Sequence, residues 1–279
     1  MERRPGIARI EPHTTTATEN FALIDKSTCP TFNPMRRFPL NLKTWLLPIA
    51  LITISVPQVQ AADQARATQP SAAASPQKSS DASQALREAI GAALAKGASA
   101  SDRKSPKALD FDRDPGKTQT SLEQFLAANF TDPDSRNIVQ QAFGNGKLMN
   151  NYDSLLKHYG YSPTNLADVT AAYLIVAWEV VNGRDSSSEP AGQSAVRQQL
   201  GPAFERTKAL AGLPEDVKQS MADRLMFSTM VAGYSYQRLE KEGKTQELNM
   251  LQDKLRQNVL GAGVDLTQLD LTSAGLVKR

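Results

Sequence analysis

Cysteine and histidine are nearly absent from this chain. Its 279 residues include one cysteine, Cys29, and two histidines, His13 and His158. Disulfide bonds, thiolate catalysis and cysteine-ligated zinc all need cysteines in the folded part of a protein. Cys29 and His13 lie in the N-terminal region, which a signal sequence described below predicts to be absent from the mature protein. His158 is then the one histidine that could serve as a metal ligand. We therefore predict no metal site.

A charge excess is also missing once the N-terminal region is set aside. The full sequence carries 32 Lys and Arg against 29 Asp and Glu. Residues 1–61 hold seven of the basic and four of the acidic residues, which leaves 25 of each in the remainder. A nucleic-acid-binding surface needs an excess of basic residues that neutralises phosphates. We therefore predict that nucleic acid is not a partner.

One long apolar run stands near the N-terminus and is typical of a secretory signal peptide. A basic stretch begins at Met35, the apolar run extends from Trp45 to Ile52, and Val59-Gln60-Ala61 offers small residues for cleavage. The run is shorter than the about 20 apolar residues that span a membrane. The sequence predicts a signal peptide over residues 35–61, a periplasmic or secreted location, and no stable membrane span after removal of the signal.

The residues on either side of this signal have no clear structural periodicity. Residues 1–34 are polar, and we predict that they are a mis-annotated upstream extension and that Met35 is the true start. Residues 62–107 are rich in Ala, Ser, Gln and Pro, a composition that buries too little apolar surface to offset the entropy of ordering the chain. We predict a flexible linker here, a disordered tether in which only Ser83 to Lys96 favours a short, marginal helix.

From residue 108 to 279 the apolar residues recur at helical spacing, so the sequence predicts one compact all-α bundle of about six helices. A long helix is predicted from Pro214 to Lys241, and its proline and acidic residues suit a first turn. Pro202 predicts a kink or break in the helix before it. The last helix is predicted from Gln246 to Leu260, and the tail after it is typical of a short turn and an extended end.

The most informative segment is a central helix predicted between Asn165 and Asn182. Apolar residues cover nearly its whole circumference, and such a helix is buried on all sides. Asn165 can cap the N-terminus, and Asn182-Gly183 is a left-handed stop signal. The middle of the long helix is also nearly all apolar, which makes it the predicted packing partner.

These residues carry a resemblance to a known family. The segment from Tyr152 to Gly183, YDSLLKHYGYSPTNLADVTAAYLIVAWEVVNG, resembles the core motif of a family of uncharacterised bacterial exported proteins, a domain of unknown function. The segment from Gly263 to Leu276 is similar to that family's C-terminal signature. The resemblance covers about residues 107–279 and implies an exported α-helical domain of a Gram-negative bacterium. It implies no activity.

Six residues in the motif are candidates for lining a binding pocket. Asp168 and Glu179 interrupt an otherwise apolar helix and, eleven residues apart, share one face about 16 Å apart along the axis. That separation is too large for the carboxylate pair of a glycosidase. Glu179 lies at the unfavourable end of the helix dipole, so we expect a cationic or hydrogen-bonding partner, with a structural ion pair as the leading interpretation. The candidates are Asp168, Tyr173, Trp178, Glu179, Asn182 and His158.

The remaining motifs do not define a catalytic site. Tyr173 and Trp178 are typical of core aromatics, and His158 stands near a helix end, where it can contact terminal carbonyls. A Ser–His–acid triad would need His158, yet no serine lies in a nucleophile-elbow motif. Partial matches to calcium and phosphate loops between Asp110 and Thr118 fail at required positions. We predict no catalytic residue and no cofactor.

Three functions are compatible with this pattern. The leading hypothesis is a non-catalytic module that binds another cell-envelope protein. The second is a carboxylate-dependent cell-wall hydrolase with Glu179 as the acid and a second acid about 5–9 Å away. The third is a carrier of a small apolar ligand, in a cavity lined by Tyr173, Met226 and Met230.

Overall fold

The computed structural model describes residues 76–96 and 105–279, and all of them belong to one compact unit. Nine helices and one small antiparallel sheet make up this part of the chain, which confirms the all-α prediction. The predicted upstream extension, the signal peptide, and residues 62–75 and 97–104 of the predicted linker lie outside the described residues. The helices are α1 (Pro76–Lys96), α2 (Pro115–Asn129), α3 (Pro133–Gly144), α4 (Lys147–His158), α5 (Leu166–Asn182), α6 (Pro190–Arg206), α7 (Lys208–Ala211), α8 (Glu215–Glu242) and α9 (Thr245–Leu260).

The central helix α5 forms where the sequence predicts it. The Asn165 side chain caps its N-terminus by accepting hydrogen bonds from the backbone N–H groups of Ala167 and Asp168, at 3.0 and 3.3 Å. Gly183 ends the helix in the left-handed conformation, with φ of 59°. Almost every residue between these ends is buried. The main packing partner of α5 is the long helix α8, as predicted.

The helix before α8 does not break at Pro202. Helix α6 continues through this proline to Arg206, and the four-residue helix α7 follows. The break comes at Thr207, whose backbone N–H and Oγ1 both donate to the carbonyl oxygen of Ala203, at 3.1 and 2.9 Å. The helix break therefore lies five residues after Pro202 and not at the proline.

The C-terminal tail folds back on itself instead of ending as a single extended segment. A 3-10 helix over Leu266–Gln268 leads into β1 (Leu269–Thr272), which pairs with β2 (Gly275–Lys278). The register places Leu269 opposite Lys278, so that two residues form the turn between the strands. The side chain of Gln199 in α6 holds β2, because it accepts from the N–H of Leu276 and donates to the carbonyl of the same residue, both at 2.9 Å.

For residues 76–96 the structure has one helix, which includes the predicted short helix from Ser83 to Lys96 and also residues 76–82 of the predicted flexible linker. These residues form α1, which packs mainly on α6. Its buried face contains Ile90 and Leu94 together with the four alanines Ala82, Ala85, Ala89 and Ala93. At Gly91 the backbone approaches the turn after α9 so closely that an added Cβ atom would lie 2.8 Å from the Ala262 carbonyl oxygen. Small side chains permit this close packing, although they give the sequence little apolar signal.

The length and apolar character of the described helices decide whether any of them could cross a membrane. Among the helices of the described part of the chain, none combines the length and the apolar character that crossing a bilayer requires.

Candidate functional site

The six candidate residues lie at four different places in the structure. Trp178, Glu179 and Asn182 are neighbours in the last turns of α5, Asp168 lies in its first turn, and Tyr173 lies between them. His158 is exposed at the end of α4, where its ring meets that of Tyr159 edge-on at 5.4 Å between centroids. The structure therefore does not bring the six residues together in one pocket.

Asp168 is the buried partner of an ion pair. Its Oδ1 accepts from Nε of Arg197 at 2.9 Å and from the Ser105 hydroxyl, and its Oδ2 accepts from the N–H of Ser162 at 2.7 Å. The side chain is fully buried, whereas that of Arg197 is 24% exposed. Arg197 also donates to the carbonyl of Gly160 at 2.9 Å. These contacts join α5, α6 and the segment before α5, which is a structural role.

Trp178 and Asn182 hold the C-terminal tail. The indole Nε1 of Trp178 donates to the Leu269 carbonyl at 2.9 Å. Asn182 donates to the Leu266 carbonyl at 3.2 Å and accepts from Nη2 of Arg279 at 3.0 Å. Both candidates therefore use their polar atoms to hold the C-terminal tail. The sequence resemblance to a C-terminal signature was noted in the same part of the chain.

Glu179 is a buried carboxyl with a hydrogen-bonding partner instead of the expected ion pair. Its Oε1 accepts from the N–H and the hydroxyl of Ser186, at 2.9 and 2.5 Å, while Oε2 has no partner among the described residues. Gln193 donates to the Ser186 hydroxyl at 2.7 Å and completes the cluster. Burial raises the pKa of Glu179 to about 7. With 1% of its surface exposed, this group is closed to a polymeric substrate.

A second buried carboxyl, which the sequence did not single out, lies in α8. Asp223 is fully buried, and burial raises its pKa to about 6. The neighbouring Gln219 donates to the Asp114 carbonyl at 2.7 Å and to the Thr118 hydroxyl at 3.0 Å, which fixes the start of α2 on α8. Asp114 itself caps α2. The acidic stretch that partly matches a calcium loop is therefore a helix start, and no metal-binding cluster of His, Cys, Asp or Glu occurs in the described ranges.

A cavity of the described residues lies between α1, α2, α5, α8 and the end of α9. This interhelical pocket has a volume of about 180 Å³. Its walls are mainly apolar, and exposed residues of α2, Gln124 and Ala128, stand at its rim. The large apolar side chains that line it are Leu86, Ile90, Phe125, Leu174, Leu225 and Val259.

Two arginines and a tyrosine are among the polar side chains that line the interhelical pocket. Arg87 comes from α1 and Arg224 from α8, and none of the described residues that line the pocket is acidic. Nη2 of Arg224 donates to the Gln124 side-chain oxygen at 2.9 Å, and burial lowers the pKa of Arg224. Tyr173 is 4% exposed, its hydroxyl has no partner among the described residues, and burial raises its pKa. Tyr173 therefore stays a neutral donor at physiological pH.

The interhelical pocket agrees in part with the cavity expected for an apolar ligand. Tyr173 lines it as predicted, whereas Met226 and Met230 are each 1% exposed in the solid core. Met221, one and a half turns earlier in α8, lines the pocket instead. Arg87 and Arg224 were missed because they line one pocket only when α1 docks on the other helices, and the sequence predicts only a short, marginal helix from Ser83 to Lys96.

The described residues thus define an all-α protein with a C-terminal β-hairpin and a small, mainly apolar pocket. The chain belongs to a family of unknown function, DUF6683, whose model matches residues 53–279. This identification agrees with the resemblance to a domain of unknown function, while the bacterial and exported character of the protein stays a prediction. No solved structure matches the chain.

One curated protein shares a limited similarity. The zinc finger X-linked protein ZXDB of Mus musculus is 30% identical over 127 residues, which are 45% of this chain and 14% of that protein. The chain therefore spans a small part of that relative's length. A zinc finger needs four Cys or His ligands, whereas this chain has one cysteine and two histidines in all. The similarity does not extend to a zinc site.

Proposed function

We propose that this protein is an exported, non-catalytic binding protein of the cell envelope that holds a small ligand with an apolar body. The observation that carries the proposal is the interhelical pocket. Ligand sites are mostly apolar concavities with a few polar groups that fix orientation, and this pocket combines apolar walls with Arg87, Arg224 and Tyr173. Its position between helices is a common place for such sites.

Neither of the two candidate carboxylates of α5 is placed for hydrolysis. Asp168 is neutralised by Arg197, and Glu179 is enclosed by Ser186 and Gln193. A glycosidase acid has to reach the oxygen of a scissile bond in a cleft. The polar atoms of both residues instead serve internal contacts, which favours binding over hydrolysis.

The pocket can be blocked without disturbing the core. Ala128 of α2 is exposed at its rim, whereas the adjacent Ala127 is exposed and does not line it. Ala128→Trp places a large ring at the opening, and Ala127→Trp is the matched control with the same residue type on the same helix. Both changes lie at exposed positions, so we expect both variants to fold.

The test is a thermal-shift screen of one-ring and short-chain compounds in acidic, neutral and basic forms. A ligand that binds only the folded protein raises its stability as ligand concentration increases. We expect stabilisation of the wild type and of Ala127→Trp, and its loss in Ala128→Trp. Equal stabilisation of the two variants would place binding elsewhere, and no stabilisation by any compound would refute the proposal.

A protein partner in the envelope is the alternative. In-cell crosslinking of the tagged full chain, with N-terminal sequencing of the recovered protein, tests both this alternative and export. A mature chain that begins at Ala62 supports export, and a start at Met1 contradicts it. Recovery of one envelope protein at near-equal amounts would favour the partner hypothesis over a small ligand.

A further inference from the structure

The interhelical pocket carries two cations and no anion of its own. Arg87 and Arg224 come from helices on either side of it, and the described residues that line it include no Asp or Glu. Neither arginine takes part in an ion pair with another described residue. Arg224 donates to a neutral amide oxygen of Gln124. The positive charge at the pocket is therefore not neutralised by the described residues.

Two of the other part-buried arginines have a carboxylate partner, whereas Arg136 donates to the Phe130 carbonyl at 2.8 Å and has no carboxylate partner among the described residues. Arg113, 15% exposed, pairs with Asp153 at 2.7 Å, and Arg197, 24% exposed, pairs with Asp168 at 2.9 Å. Removing a cation from water is costly unless a carboxylate or a set of acceptors replaces the water. Arg113 and Arg197 meet this requirement with an internal carboxylate, whereas Arg224 does not. An anion entering the interhelical pocket would supply the missing partner.

We propose that the ligand of this pocket is a small amphipathic monocarboxylate, with one ring or a short acyl chain as its apolar part. This inference rests on the proposed function and names the class of its ligand. The guanidinium group presents paired N–H donors that match a carboxylate. The apolar walls, formed among others by Leu86, Phe125 and Leu225, accommodate the ring or chain.

The size of the cavity limits the apolar part. The volume of about 180 Å³ is close to that of an apolar cavity of about 150 Å³ that holds benzene in another protein. A single ring or a chain of similar bulk fits this space, and a long fatty acid does not. Tyr173 belongs to the same wall, and its buried hydroxyl has no partner among the described residues.

The test compares ligands that share an apolar part and differ in the charge of their polar group. Benzoate, benzamide and benzylamine, and likewise hexanoate, hexanamide and hexylamine, are titrated into the full chain by calorimetry at low salt. We expect each carboxylate to bind at least about tenfold more tightly than its amide, the effect of a charge-assisted hydrogen bond. We expect the amines to bind more weakly than the amides.

Substitutions of the two arginines test whether they cause the preference for carboxylates over amides. Arg224→Gln and Arg87→Gln should each lower the affinity for the carboxylate toward that for the amide and leave the affinity for the amide nearly unchanged. Arg206→Gln, on the exposed end of α6, is the control and should change neither. Raising the salt concentration should weaken only the carboxylates, because salt screens charge–charge attraction.

The possible outcomes distinguish failure of the monocarboxylate inference from failure of the proposed binding function. Equal affinity for carboxylates and amides, lost in Ala128→Trp, would overturn the monocarboxylate inference and leave the proposed binding function standing. Carboxylate binding that survives both arginine changes would place the anion elsewhere and also overturn the inference. Absence of binding for every compound would overturn both proposals.

Discussion

The indole Nε1 of Trp178 donates a hydrogen bond to the backbone carbonyl of Leu269 at 2.9 Å, and this bond ties the central helix to the first strand of the C-terminal hairpin. Trp178 is 1% exposed, so its N–H cannot donate a hydrogen bond to solvent instead. Asn182, one turn further along α5, reaches the carbonyl of Leu266. The end of α5 therefore organises the tail that follows α9.

Trp178→Phe tests this relationship. The change removes the donor and part of the ring, and it leaves the Leu269 carbonyl without its partner. We expect the free energy of unfolding to fall by about 2–4 kcal/mol, which combines an unmet buried acceptor and a small cavity. Urea unfolding measures the loss, and amide hydrogen exchange should rise first in residues 269–278. Tyr236→Phe, on the part-exposed face of α8, is the control; equal effects of both changes would contradict the role of Trp178.

The ion pair of Asp168 and Arg197 should contribute far more to stability than a surface pair. Asp168→Ala leaves Arg197 without its carboxylate and should lower the free energy of unfolding by about 3–5 kcal/mol. The control pair is Arg184 and Asp270, whose side chains are 53% and 39% exposed, and Asp270→Ala should cost at most about 1 kcal/mol. A double-mutant cycle on each pair measures the difference, and similar coupling energies would refute the distinction.

The sequence predicts the elements whose signal is local. Helix α5 is recognisable because its apolar residues cover all sides and Asn165 and Gly183 mark its ends. For α1 the sequence predicts only a short, marginal helix within a linker, because the buried face of α1 is mostly alanine and becomes a core surface only when α6 lies against it. The same tertiary dependence hides the interhelical pocket, since Arg87 and Arg224 are 137 residues apart in the chain and only docking of α1 makes them neighbours of one cavity.

For the candidate site, too, the sequence predicts what depends on local signals and misses what depends on tertiary packing. The sequence correctly indicates that Glu179 needs a partner, because a carboxylate near a helix C-terminus is unfavourable. It cannot indicate that the partner is Ser186, which comes from the loop after α5 and reaches the carboxyl only in the folded chain. Asp223 was missed because an acid in the first half of a long amphipathic helix is usually at the surface.

Glu179 should make the protein less stable as pH rises. Burial raises its pKa in the folded protein from 4.5 to about 7, although the bonds from Ser186 oppose this shift. Between these values the folded protein binds more protons than the unfolded chain, so the free energy of unfolding falls as pH increases from 4.5 to about 7. The loss from this group is about 3 kcal/mol at 1.4 kcal/mol for each pKa unit.

Glu179→Gln should remove this part of the pH dependence. The amide keeps an oxygen for Ser186 and stays neutral, so the variant should match the wild type near pH 4.5 and exceed its stability above pH 7. Asp223→Asn should remove a separate loss between about pH 4 and 6, where burial raises the pKa of Asp223. Chemical unfolding over pH 4–8 measures both effects, and Glu205→Gln on the exposed face of α6 is the control. An unchanged pH profile in Glu179→Gln would contradict the assignment.

Docking of α1 should be sensitive to a single methyl group. A Cβ atom at Gly91 would lie 2.8 Å from the Ala262 carbonyl oxygen, a backbone atom that cannot swing away, whereas one at Gly233 in α8 would meet only Val176 at 4.0 Å. Both glycines are helical, so Ala at either position gains up to about 1 kcal/mol of helix propensity. Gly233→Ala should therefore be neutral or stabilising, and Gly91→Ala should push α1 away from the turn after α9.

Because α1 supplies Leu86, Arg87 and Ile90 to the interhelical pocket, its displacement should affect binding more than folding. We expect Gly91→Ala to raise amide hydrogen exchange in α1 and to weaken carboxylate binding at least about tenfold, a free-energy difference of about 1.4 kcal/mol. Helices α5 and α8 should keep their protection from exchange, since their mutual packing does not involve Gly91. Wild-type affinity in Gly91→Ala, with α1 demonstrably released, would show that α1 is not a wall of the ligand site.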